Sequence, residues 1–598
     1  MGRAAVAFAA FGLLLAATSS PRPVGDAHEY VGMSLALLSF GTPSPAPEQL
    51  DDLERLLAAH DMPLLHDALH EGRDGRLHHR HFWLYSALAT PLVGAALLMG
   101  VSPVWGFTLL NVAVLSLAAA AVARRAGPLA GALLFAGPII WWIDKAHPEA
   151  FVFALVAAGL ALLDEHPAAG LLAWAPAAAQ YPPLILLIPA GGAALLWRRP
   201  ELRRDGRLPV AVGAALAIAA LHPLHSLWKL GVPSPLVLWG REAAIPSLKA
   251  SAAVYTDLNI GLLVNFPFLP VAGALWIAAL SNRQRRALAG SPALLAALAA
   301  AVVLPVVFAQ TVNVNHGATP GVSRYALWLV PLAVPVAVAA AVRPCPRGMR
   351  ALVAVSVASC LLWYHPVRPE DYRQPTRLAA FVWRQAPRLS APLPEVFSER
   401  VSHAEPGLLP AATPSCSKVL LLEGRWPAPC APEPAIPAPC RAAAALCYAD
   451  RRAGAAGPVR FRVLAEPPPA AFRHNVASWP AEAEARIALL LEDLRWWEMA
   501  GPAAAQDEIL RAAAGAGWTT WLRGDGRFFL YASAPGPGSS VSLRLPEPMR
   551  GTVVAARNGA VLAEVASPPE PGALWHLPLP PIGEPGVAVV LRAAGPGG

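Results

Sequence analysis

The chain has 598 residues, a formal net charge of +8 and a pI near 9.4, with 55% hydrophobic and only 14% charged residues. Soluble proteins carry about 25% charged residues, so an ordinary water-soluble domain is excluded. Nucleic acid is not indicated either, because the arginines cluster at the ends of apolar runs, the positive-inside pattern of membrane topology.

From Phe8 to Pro366, apolar runs recur between short polar loops, and after Pro366 they stop. Backbone polar groups find no water in lipid, so only helices or closed barrels span it. The runs are too long and too apolar for alternating barrel strands and read as helices. Expected spans are 4–19, 103–123, 128–143, 148–163, 168–180, 183–197, 209–228, 258–280, 291–309, 325–342 and 350–365. A further run, 82–101, is assigned by charge. The basic clusters are Arg124–Arg125, then Arg198, Arg199, Arg203, Arg204 and Arg207, then Arg283, Arg285 and Arg286, then Arg343, Arg347 and Arg350. With the N-terminus inside and 82–101 lying in plane on the outer side, all four fall in the cytoplasm; if 82–101 spans, all four fall outside. The expectation is therefore eleven crossings, with 20–81, 144–147, Gln180–Tyr181, 229–257, 310–324 and everything after 365 facing outward. A cleaved signal peptide at residues 1–20 is the alternative for the N-terminus.

Residues 366–480 read as a Pro/Ala-rich extracytoplasmic linker holding Cys416, Cys430, Cys440 and Cys447, which suggest two disulfides in an oxidising compartment without fixing their pairing. Cys345 and Cys360 read as free thiols. Residues 481–515 read as helical, and 518–532, 541–545, 551–565 and 586–592 as short strands of a small β-sandwich that caps the membrane domain or binds carbohydrate.

The candidate chemistry lies in the outer loops. Gly25-Asp26-Ala27-His28-Glu29-Tyr30 follows the first run, and Asp26 and Glu29 share a face if the segment is helical, fit for a general base or a divalent cation. The bland alternative is an acidic helix N-terminus. Asp144-Lys145-Ala146-His147-Pro148-Glu149 forms a second charged turn beside hydrocarbon. His78-His79-Arg80-His81 offers three imidazoles, but adjacent side chains point apart. Arg241, Arg324 and Tyr325 complete the outer polar surface.

In layout the chain resembles the GT-C superfamily of polyprenyl-phosphate-sugar-dependent glycosyltransferases, among them lipid A aminoarabinose transferases and protein O-mannosyltransferases. Asp26-Ala27-His28-Glu29-Tyr30 sits where that family places an acidic residue after its first span. Arg80-His81-Phe82-Trp83-Leu84-Tyr85 leading to Gly100 looks like its in-plane helix, and Asp144 lies where it often has a second acid. The Lys-Pro-Pro and Trp-Trp-Asp signatures of some members are missing. The resemblance covers residues 1–365 and implies sugar transfer from a polyprenyl-phosphate donor to a lipid, glycan or protein acceptor on the outer face of a bacterial inner membrane. It implies Asp26 as base, Glu29 or Asp144 as positioning groups for the acceptor or a divalent cation, and Arg324, Lys145 or Arg241 facing the leaving phosphate. His28, Tyr30, His147, Glu149 and Tyr325 are the further substrate-contact candidates. A carboxylate beside the membrane is expected to have a raised pKa. The competing functions are a transporter or flippase of lipid-linked sugars, and a non-catalytic envelope assembly protein.

Overall fold

A computed structural model describes most of residues 2–464, with breaks at 65–68, 236–246, 310–320, 341–346, 369–371, 404–409, 428–429, 431, 443–444 and 452–457, and seven strands beyond 517. The chain divides into two units, Met1–Ala379 and Ala380–Gly598.

Among the described residues, the first unit is helical apart from one hairpin. Val104–Ala126 and Arg207–Leu230 are long and apolar enough to cross a membrane, and Asn282–Ala289 with Pro292–Phe308 makes a third candidate if that pair, bent by 65°, is one span. Eleven crossings are not seen as eleven long helices. Six further apolar helices are shorter: Gly2–Ala17, Leu84–Leu98, Glu149–Leu163, Pro182–Arg198, Phe268–Ala279 and Tyr325–Ala340. Two expected spans are interrupted near prolines. The expected span 128–143 is instead the short helix Pro128–Ala132 followed by 3-10 turns at Leu133–Phe135 and Pro138–Trp142. Pro267 separates Leu262–Asn265 from Phe268–Ala279 within the expected span 258–280. Proline lacks an amide proton and clashes with the preceding turn, so a proline can divide an apolar run into shorter helices, which hydropathy alone cannot show, although Leu84–Leu98 and Pro292–Phe308 continue through Pro91 and Pro305.

These pieces pack around large aromatic side chains. Trp141, Trp142, Trp174, Trp328, Tyr30, Tyr85 and Phe107 are fully buried. The Trp174 indole is held by a hydrogen bond from Nε1 to the Val156 carbonyl at 3.2 Å. Gly159 and Gly191 flank it, and a Cβ on Gly159 would lie 2.1 Å from Trp174 Nε1. Only glycine permits that approach, which fixes the Glu149–Leu163 helix and so the position of Glu149. Tyr85 Oη donates to Asn111 Oδ1 at 3.0 Å and Asn111 Nδ2 to the Lys145 carbonyl at 3.0 Å, joining three segments around the charged turn.

The second unit contains more structure than its Pro/Ala-rich composition announces. Ala411–Ala412, Lys418–Leu422, Leu446–Asp450 and Arg460–Val463 form an antiparallel sheet in that order. Cys416 bonds Cys430 and Cys440 bonds Cys447, and a buried Lys418–Asp450 ion pair (2.7 Å) lies in the same sheet. Cys360 is a buried free thiol, while Cys345 and the expected helix 481–515 lie outside the described residues. The seven later strands form a five-stranded antiparallel sheet and a two-stranded one. The expected strands 518–532 and 551–565 are each two strands, and Leu574–Pro578 adds one that sequence reading missed.

Candidate functional site

Gly25 adopts a positive φ of +50°, turning the chain so that helix Ala27–Phe40 starts at once. Asp26 occupies the N-cap position of that helix, yet its side chain makes no capping bond. The carboxylate is directed instead at cations, so Asp26 does more than stabilise a helix N-terminus. Glu29, in the first turn, is fully buried, an expensive place for a carboxylate without partners.

The partners come from distant segments. Hairpin Leu69–Glu71/Leu77–His79 delivers Arg80 and His81 to the start of Ala27–Phe40. Arg80 Nε donates to Glu29 Oε1 at 2.7 Å, and His81 Nδ1 lies 2.9 Å from Glu29 Oε2. His81 Nε2 is also 3.5 Å from Asp26 Oδ2. On the other side, Asp26 Oδ2 lies 3.4 Å from Arg324 Nη1 and 3.5 Å from His147 Nε2. Arg324 Nε faces Glu149 Oε1 at 3.4 Å, His147 Nδ1 meets Glu149 Oε2, and Tyr181 Oη donates to Glu149 Oε1 at 3.3 Å. Arg324 Nη1 is 3.0 Å from His147 Nε2. The Tyr30 ring packs against both imidazoles, with centroids 5.1 Å from His81 and 5.4 Å from His147.

Three carboxylates therefore share two guanidinium groups and two imidazoles. Burial works to raise the Asp26 carboxyl, but His81, His147 and Arg324 outweigh it and hold it well below the usual carboxylate range. Burial likewise opposes ionisation of Glu29, while His81 and Arg80 bring it down to about 2. The expectation of a raised carboxylate is thus reversed, because charge pairing exceeds desolvation here. His28 is lowered by burial, with Nε2 3.9 Å from Glu29 Oε1. Access remains: the Asp26 side chain is 24% exposed while those of Glu29, His147 and Glu149 are closed off. Ligand atoms of Asp26, Glu29 and His81 all lie within 4.8 Å of one another, so this trio can hold a divalent cation.

The other expected residues are placed differently. Asp144 spends its carboxylate on Lys145 Nζ and on Ser19 Oγ (2.6 Å), and Lys145 Nζ also donates to the Pro366 carbonyl at 3.1 Å and lies 4.7 Å from the Trp141 ring. Both side chains are fully buried, so this pair is a tie within the fold. Tyr325 packs on Trp328 and Phe308, with the Arg324 guanidinium 6.0 Å from its ring. Arg241 lies outside the described residues. Sequence reading missed Arg80 and His81 as partners of Glu29, and Tyr181 as a partner of Glu149. The available signal for the first two was opposite charge in the same outer loop.

Comparisons with known proteins give no match, whether to family models, to curated proteins or to solved structures.

Proposed function

We propose that the chain is a membrane glycosyltransferase that moves a sugar from a polyprenyl-phosphate donor to a lipid, glycan or protein acceptor at the outer face of the cytoplasmic membrane. The observation that carries this reading is the partly exposed Asp26 carboxylate set between Arg324 and Arg80, in a charged cluster whose other two carboxylates are closed off. In the reaction, the acceptor oxygen bonds to the anomeric carbon, the bond from that carbon to the phosphate oxygen breaks, and its electron pair leaves with the polyprenyl phosphate. The acceptor proton passes to Asp26. Its low proton affinity is compatible with that role, because the acceptor oxygen becomes strongly acidic as the new bond forms. Arg324 turning towards the donor phosphate also weakens its hold on Asp26 and raises the carboxyl as the base is needed. Glu149 and Glu29 keep Arg324 and Arg80 in place. If a divalent cation binds, Asp26, Glu29 and His81 hold it, and it adds positive charge near the phosphate.

The eleven-crossing topology belongs to the same proposal. Contacts among loops support its sidedness. Arg125 Nε lies 2.9 Å from Glu165 Oε1, and Asp164 accepts from Ser291 Oγ at 2.7 Å, so three loops assigned to the cytoplasm touch. Loops bearing Asp26, His81, His147, Tyr181 and Arg324, all assigned outside, converge on the cluster. Many large apolar side chains face outward, among them Leu98, Trp197, Val210, Trp228, Val302 and Leu362, as lipid contact requires. The small β-sandwich is assigned to the seven later strands.

Purified full-length protein incubated with a panel of polyprenyl-phosphate sugars tests the function. Transfer by the wild type and none by Asp26→Asn, with insertion intact, is the expected result; full activity of Asp26→Asn overturns it.

A further inference from the structure

Next to the charged cluster is a small cavity of about 20 Å³, room for roughly one water-sized group. Five of its wall residues are histidines: His78, His79, His81, His222 and His225. Phe82 and Trp83 supply an aromatic side, and among the described residues no Asp, Glu, Lys or Arg is in the wall. The Phe82 ring stacks on His222 at 4.6 Å, nearly parallel.

The histidines differ in how far their ring nitrogens are satisfied. His78 Nδ1 meets Ser44 Oγ at 3.0 Å and Nε2 meets Asp74 Oδ1 at 3.1 Å. His222 Nδ1 faces the Ala179 carbonyl at 3.2 Å, which puts the proton on Nδ1 and leaves Nε2 a buried acceptor without a partner. Both ring nitrogens of buried His79 lack partners, as does Trp83 Nε1. A buried polar group left unpaired costs about 1–3 kcal/mol, so four such atoms on three wall residues mark a place for a polar ligand.

Charge and geometry narrow its chemistry. The described part of the wall is uncharged, which disfavours a free anion or cation. A zinc ion needs nitrogens close enough to lie about 2 Å from one centre, and among the described residues the triad of ligand atoms within 4.8 Å is Asp26, Glu29 and His81, not the other cavity histidines. A hydroxyl group both donates and accepts, which matches the acceptor on His222, the donor on Trp83 and one of each on a neutral His79. We propose that this cavity takes one projecting hydroxyl or hydroxymethyl group of a sugar, with Phe82 and Trp83 supplying its aromatic side. His81 belongs to the cavity wall and to the Asp26 cluster at once, so a sugar seated here has its reacting atoms directed to Asp26. The proposal rests on the glycosyl-transfer reading and adds where the sugar sits, in either donor or acceptor.

Two independent measurements test it on full-length protein in a sugar-free detergent. Saturation-transfer NMR with free glucose, mannose and galactose should show binding by the wild type, lost in His222→Phe and in Trp83→Phe. The wild type alone should lose about tenfold in affinity for one specific deoxy analogue, the loss of a single hydrogen bond, and this arm does not depend on variants folding. In the transfer assay both variants should raise KM about tenfold with kcat changed less than threefold. A raised donor KM places the donor sugar here, and a raised acceptor KM places the acceptor. Transfer that needs Asp26 but is indifferent to both variants and to every deoxy analogue overturns the cavity proposal alone. Absence of transfer with any donor, alongside saturable sugar binding that His222→Phe removes, overturns the transferase reading alone. Stoichiometric zinc lost in His222→Phe shows an ion site and overturns the cavity proposal.

Discussion

Around Asp144 and around Asp26 the first unit buries charge on opposite plans. At Asp144 one carboxylate meets one ammonium, a serine hydroxyl takes the remaining oxygen, and both charged side chains are sealed from solvent. Around Asp26 three carboxylates share two guanidinium groups and two imidazoles, drawn from three outer loops, and one carboxylate remains reachable. The closed pair has little to exchange without unfolding. The open cluster can trade one partner for another, as the proposed turn of a guanidinium from a carboxylate to a phosphate would require. Proximity to hydrocarbon, common to both turns, therefore does not distinguish structure from chemistry; the surplus of partners and the access do.

Substitution at the two aspartates separates these plans most sharply. Asp26→Asn should lower the transfer rate by about 10²–10⁴-fold, the contribution of a general base, while still yielding folded, inserted protein. Asp144→Asn should lower yield or melting temperature, because a broken buried pair costs about 3–5 kcal/mol, while the surviving protein keeps its specific activity. A reversal of the two phenotypes would dismantle the comparison.

Arg324→Lys should come next. Lysine cannot face Asp26, His147 and Glu149 together, as the fork of arginine does. A fall of about 10²-fold in kcat/KM is expected, and equal activity with either cation would show that only charge matters.

The pH dependence of stability sharpens the cluster further. Glu29 falls from an ordinary 4.5 to about 2 in the folded chain. Its contribution, on the order of 3 kcal/mol, is complete above about 4.5 and is lost as pH falls towards 2. Melting temperatures of the wild type should decline across that window more steeply than those of Glu29→Gln. Parallel curves would mean that Glu29 gains nothing from Arg80 and His81.

The smallest effect concerns the frame. Gly159→Ala should destabilise by about 1–3 kcal/mol, the usual cost of overpacking, since the added Cβ meets the Trp174 indole. Activity per folded molecule should fall only modestly, through displacement of Glu149; an unchanged melting temperature would show that the indole moves freely.

Sequence reading found the acidic opening of the first outer loop, the charged turn at 144–149 and Arg324, because charges between apolar runs stand out. It separated what the fold unites. His81 lies 52 residues from Glu29 in sequence and 2.9 Å from it in space, and no local pattern encodes that meeting. Asp144 looked equivalent to Asp26 because a one-dimensional reading has no knowledge of Ser19 or of how deeply Lys145 is buried. Helix lengths were overestimated at 128–143 and 258–280, where mean apolarity concealed the interruptions at Pro138 and Pro267. In the second unit, Pro/Ala content hid the sheet around Lys418–Leu422, a run short enough to pass for linker.

The His81 imidazole is a party wall, one face in the cavity and its nitrogens on Glu29 and Asp26. Whatever fixes that ring on one side changes the free energy of occupancy on the other, and thermodynamic reciprocity makes the factor the same in both directions. A sugar bound in the cavity that tightens phosphate binding tenfold must itself be held ten times more firmly by the phosphate-loaded protein. If the proposed sugar and phosphate sites are coupled through this ring, neither order of arrival is privileged: whichever fragment binds first strengthens the grip on the second, and release of either loosens the other.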